Sequence, residues 1–82
     1  MPSGTRVTLL FFGPLRDVVG AKQIHLEIES PIVSDVVANL QRQYPRLENS
    51  RLLVAVNEEY ATGETVLNDG DEIAVFTPVS GG

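Results

Sequence analysis

Between Pro31 and Pro45 the chain carries its one long helical stripe. Val33, Val36, Val37, Leu40 and Tyr44 fall at i, i+3, i+4, i+7 and i+11, which is one face of an α-helix. Pro45 closes it, because the residue before a proline disfavours the α conformation. An amphipathic helix must bury its stripe against something, and the sequence offers no second long stripe to pair with. Most of the remaining apolar residues fall in short strand-like runs. The partner must therefore be a sheet.

The strands of that sheet are legible. "RVTLLFF" (residues 6–12) is rich in β-branched and aromatic residues and points Val7, Leu9 and Phe11 to one face, Leu10 and Phe12 to the other. "QIHLEIE" (residues 23–29) alternates strictly, with Ile24, Leu26 and Ile28 on one side. "RLLVAVN" (residues 51–57) is nearly continuous in apolar residues and reads as a central strand. "EIAVFT" (residues 72–77) is the last strand, with Ile73 and Val75 inward and Phe76 outward. Residues 65–67 read as a short edge strand after a turn-rich stretch at 57–63. Gly70 supplies positive φ in the tight turn "NDGDE". Between the first two strands, Pro14 and Gly20 bracket a short helical turn carrying Leu15, Val18 and Val19. The order predicts an α+β domain over residues 1–82: a mixed sheet of about five strands with one main helix across one face. This is the β-grasp pattern of ubiquitin-like domains. Residues 1–5 read as a loose start and 77–82 as an extended tail.

Composition narrows the chemistry. A chain of 82 residues buries only about 60–65% of its unfolded surface, and it has no cysteine to staple it. One histidine and no cysteine exclude a Cys/His zinc site, a side-chain thiolate and a side-chain persulfide. No apolar run approaches the ~20 residues that span a membrane, and the start is too short in apolar residues for a signal peptide, so a cytoplasmic location is expected. A net charge of −5 argues against a nucleic-acid partner and for a protein partner with a basic rim.

Few side chains look catalytic. His25 lies on the outward side of its strand with no nucleophile or paired carboxylate placed to use it. The acidic residues Glu58, Glu59, Glu64, Asp69, Asp71 and Glu72 fail as a calcium loop, since Ala74 and Ser80 occupy the positions that require glycine and glutamate. They read as solvated turn residues. No phosphate-cradling glycine motif occurs, so no cofactor is expected on this chain. By contrast, the outward Phe12 and Phe76 come from the first and last strands, neighbours in a β-grasp sheet. With Leu10, Tyr60, Pro78 and Val79 they form a candidate apolar interaction patch.

That patch adjoins the ending "TPVSGG". Two terminal glycines arise by chance in about one chain in 200 at a ~7% glycine background. Without side chains, Gly81 and Gly82 can enter a channel closed to other residues. The unhindered carboxylate of Gly82 can attack the α-phosphate of ATP held by another enzyme, and a sulfur donor can then displace AMP to leave a thiocarboxylate. From Thr77 the tail reaches roughly 20 Å at about 3.3–3.6 Å per residue, and Pro78 stiffens its base.

"LLFFGPLRDVVG" (residues 9–20), "LLVAVN" (residues 52–57) and "DGDEIAVFTPVSGG" (residues 69–82) closely resemble the small subunits of molybdopterin synthase, a family of ubiquitin-like sulfur carriers. The resemblance covers nearly all of residues 7–82. It implies adenylation of Gly82 by a ubiquitin-activating-like adenylyltransferase using ATP. A donor such as a cysteine desulfurase or rhodanese would then supply sulfur. The tail would insert into the large synthase subunit, which turns cyclic pyranopterin monophosphate into molybdopterin, typically within a heterotetramer. Gly82 matches the sulfur-bearing terminus and Gly81 its slender neighbour. Phe12, Tyr60 and Phe76 match interface positions, and Arg16 a basic position beside them. Thr77 departs from the family's frequent proline and loosens the tail's base. Three alternatives remain: a sulfur carrier for thiazole or another thio-product, a ubiquitin-like protein modifier, and a plain binding module.

Overall fold

A computed structural model describes residues 4–48 and 51–78. Strands β1 (Thr5–Phe11), β2 (Gln23–Ile28), β3 (Leu53–Val56), β4 (Glu59–Tyr60) and β5 (Glu72–Phe76) are joined by helices α1 (Pro14–Val19) and α2 (Val33–Gln43) and a 3-10 turn, Pro45–Leu47. The sheet order is β2-β1-β5-β3-β4. β1 and β5 run parallel, with Phe11 opposite Val75. The β1–β2, β3–β5 and β3–β4 pairs are antiparallel. This is the β-grasp arrangement that the helix-on-sheet pattern implied.

Period two builds the core. Val7, Leu9 and Phe11 of β1, Ile73 and Val75 of β5, and Val54 of β3 are all buried on one face. Against them α2 buries Val33, Val36 and Leu40, each contributing about 1.5–3 kcal/mol. Leu15 of α1 is buried in the same cluster. The carbonyls of Thr65 and Gly63 accept the N–H groups of Val33 and Ser34, which occupies part of the helix N-terminus that lacks a side-chain cap.

Three expectations change. The short strand is β4, Glu59–Tyr60, inside the stretch read as turn-rich, and residues 65–67 form no strand. There the backbone makes a single bridge, Ile32 to Val66, and the Leu67 N–H bonds to Pro31 O. The long-range backbone hydrogen bonds of that segment run only to Pro31 and Val33 among the described residues, a stretch too short to support a ladder. Second, β5 is the middle strand of the order, and β3 begins at Leu53 between β5 and the two-residue β4. The continuous apolar run marks a strand paired on both edges, with Val54 buried and Leu53 and Ala55 half-buried on the outer face. Third, Pro45 ends α2 and also opens the 3-10 turn, whose Leu47 is 2% exposed. Leu47 falls at i+7 from Leu40 and i+3 from Tyr44, so it extends the stripe of α2 past the proline. Among the described residues, no helix is long and apolar enough to cross a membrane.

Candidate functional site

The face of the sheet away from α2 is assembled by register. Leu10 pairs with Ala74, Ala74 with Ala55, and Ala55 with Tyr60, so these four side chains form one row across four strands. The next outward position on β5 is Phe76, opposite Leu53. Phe12 lies one residue beyond the last β1–β5 pair. The two alanines form a low floor, with larger apolar side chains around it.

The aromatic groups are ordered by contacts. The Tyr60 and Phe76 rings meet at a centroid distance of 5.9 Å and a tilt of 58°, an edge-to-face type of packing. Tyr60 remains 83% exposed and Phe12 44% exposed, so the patch is presented to solvent. The guanidinium carbon of Arg16 stands 5.8 Å from the Phe12 ring centroid, within cation–π range. Its Nε–H donates to the Phe11 carbonyl at 3.0 Å. Arg16 is itself exposed at the edge of the patch. Local sequence explains the placement of Arg16. Gly13 at φ 61 turns the chain out of β1, Pro14 starts α1, and Gly20 ends it in the left-handed conformation with its N–H on Arg16 O.

The same face is polar at its other end. Thr8 Oγ1 and His25 Nδ1 lie 3.0 Å apart across the β1–β2 pair, and Arg6 approaches Glu27 at 3.7 Å with both side chains largely exposed. Such an exposed pair contributes little. The acidic turn residues are engaged locally. Asp69 accepts the Arg6 N–H at 2.8 Å. Asp71 accepts the Asn68 N–H at 2.8 Å and the Asn57 Nδ2–H at 2.9 Å. Among the described residues, no three His, Asp or Glu side chains are grouped to hold a metal.

The structure thus brings Phe12, Arg16, Tyr60 and Phe76 to one end of one face, and exposed Pro78 follows from the end of β5. Val79, Gly81 and Gly82 lie outside the described residues. Sequence reasoning missed Leu53, Ala55 and Ala74 as part of this surface. Their signal was present, since alternation in "LLVAV" and "EIAVF" places them opposite the buried Val54, Ile73 and Val75.

Known proteins share this chain's pattern. The ThiS family profile matches residues 9–82. The Escherichia coli molybdopterin synthase sulfur carrier subunit is 35% identical over 93% of this chain and 99% of its own length. The Mycobacterium tuberculosis counterpart is 37% identical over 94% of this chain and 98% of its own. Among solved structures, the complex of subunits 1 and 2 of the Helicobacter pylori molybdopterin-converting factor contains a chain that superposes with a TM-score of 0.64 at 29% identity, over 95% of this chain and 100% of that one. Small archaeal modifier protein 1 of Methanosarcina acetivorans superposes with a TM-score of 0.80 at 26% identity, over 99% of this chain and 100% of that one. By a match that takes in nearly the whole sheet, the long helix and the terminal glycines, this chain belongs to the ThiS family.

Proposed function

We propose that this chain is the sulfur carrier subunit of a molybdopterin synthase, with Gly82 as the sulfur-bearing residue. The observation that carries the reading is the position of β5. Its last residue, Phe76, sits in the exposed aromatic patch, and the following segment leads from there to Gly81 and Gly82. A partner that covers Phe12, Arg16, Tyr60, Phe76, Pro78 and Val79 therefore lies where the tail can enter it. The Escherichia coli and Mycobacterium tuberculosis relatives, both sulfur carrier subunits of this synthase, support the same reading.

The chemistry belongs to the terminus. An adenylyltransferase of the ubiquitin-activating type binds ATP, and the Gly82 carboxylate oxygen attacks the α-phosphorus as pyrophosphate leaves. Sulfur from a desulfurase or rhodanese persulfide then displaces AMP. A second thiol then attacks the donor sulfur of the resulting acyl disulfide, releasing the thiocarboxylate and leaving a disulfide on the donor side. Inside the large subunit that sulfur passes to cyclic pyranopterin monophosphate, and water supplies the oxygen that restores the carboxylate. This chain supplies reach, a slender tip and a docking face. Catalytic side chains belong to the large subunit, and ATP is the activating enzyme's substrate.

Intact mass spectrometry after incubation with ATP, the activating enzyme and a sulfide source tests the reading. A gain equal to replacing one oxygen by sulfur, mapped to Gly82, is expected. An unchanged mass with an enzyme that charges another carrier refutes it. The likeness to a small archaeal modifier protein favours one second reading, conjugation to lysines, whose signature is an isopeptide ending in Gly82.

A further inference from the structure

The net charge of −5 conceals a separation along the strands. β5 runs from the Glu72 end of the sheet to the Phe76 end, and β3 starts at that second end because Leu53 pairs with Phe76. Arg51, two residues before Leu53, therefore lies beside the tail base. Lys22 is there too, since its carbonyl accepts the Phe11 N–H at the end of β1, and Arg16 caps the aromatic patch. α2 must run back toward the same end. It begins beside Thr65 and Gly63, after β2 has finished opposite Thr5, and it must deliver the chain to the start of β3. Its C-terminal arginine, Arg42, and Arg46 of the 3-10 turn are consequently at the tail end as well.

Five of the six basic side chains thus surround the tail end, all exposed, with only Arg6 elsewhere. Of the eleven acidic side chains, only Asp17 and Glu48 share that end. The others gather at the far end, on the turns after β3 and before β5, at the end of β2 and around the start of α2. Helix polarity accounts for Asp35 and Arg42, which sit in the first and last turns of α2. It does not account for Lys22, Arg46 or Arg51. The two ends are about 20 Å apart along β1, at ~3.3 Å per residue. That is roughly twice the Debye length of ~8 Å at physiological salt. A protein docking at the tail end therefore meets the local positive charge and not the net negative one.

We propose that Arg16, Lys22, Arg42, Arg46 and Arg51 form a basic collar that recognises an acidic rim around the partner's tail-admitting opening. This reverses the basic rim that net charge alone implies. It rests on the reading that the large synthase subunit is the partner.

The test is association kinetics of the full chain with the purified large subunit at about 0.02 M and about 0.5 M salt. One variant carries Arg42→Glu, Arg46→Glu and Arg51→Glu. A second carries the same positions changed to Gln, which keeps the test sound if charge reversal impairs folding. A third carries Glu58→Lys, Glu59→Lys and Glu64→Lys at the far end. Electrostatic steering changes association rates by about 10–10³-fold. The collar reversal is expected to slow association at least about 10-fold at low salt, the Gln set less, with both differences shrinking at high salt. The far-end variant, which adds positive charge, should not slow association at low salt and should match wild type at high salt. A collar reversal that binds as fast as or faster than wild type overturns the collar and leaves the synthase reading intact. Failure of the wild-type chain to bind overturns that reading and the collar with it.

Discussion

Replacing Glu58 by glycine should stabilise this protein. β3 and β4 are joined by Asn57 and Glu58 alone, with Val56 paired to Glu59. Both linking residues have positive φ, 49° and 72°, the pattern of a type I′ hairpin turn. Asparagine suits the first position, but the second favours glycine, and a residue with a Cβ costs about 1–2 kcal/mol in the left-handed region. Glycine relieves that strain and costs about 0.5–1 kcal/mol in unfolded-state entropy. The net gain is therefore about 0.5–1 kcal/mol, which in a domain of this size raises the melting midpoint by about 2–8 °C. Calorimetry or thermal circular dichroism of Glu58→Gly beside Glu58→Ala provides the assay. Alanine keeps the Cβ, so its stability should stay within about 0.5 kcal/mol of wild type. A Gly variant no more stable than wild type, or an Ala variant that gains as much, would refute the argument. Loading of Gly82 should be unchanged in both, because this turn lies at the end of the sheet opposite the tail.

Leu47→Ala should cost about 2–4 kcal/mol, since Leu47 is 2% exposed beneath the 3-10 turn. A denaturant midpoint within error of wild type would contradict its place in the core. Phe76→Ala should weaken binding to the large subunit at least 10-fold, about 1.4 kcal/mol, by removing the ring that packs on Tyr60. His25→Ala, at the polar end of the same face, should leave that affinity unchanged, so equal losses in both variants would place the interface elsewhere.

Much of this molecule is determined by its sequence alone. The lone amphipathic stripe between two prolines demands a sheet as its partner, and the alternation in β1, β2 and β5 assigns inner and outer faces residue by residue. Both signals are local and periodic, so they survive without knowledge of neighbours. What depends on pairing between distant segments was settled only by tertiary structure. Residues 65–67 have strand composition but no ladder partner, whereas Glu59 and Tyr60 become a strand because a two-residue turn folds them onto β3. Leu47 is core because the turn after α2 carries it inward. The charge separation likewise depends on strand direction. Arg16, Lys22, Arg42, Arg46 and Arg51 are scattered along the chain, and only the parallel β1–β5 pairing and the return of α2 bring them to the end from which the tail departs.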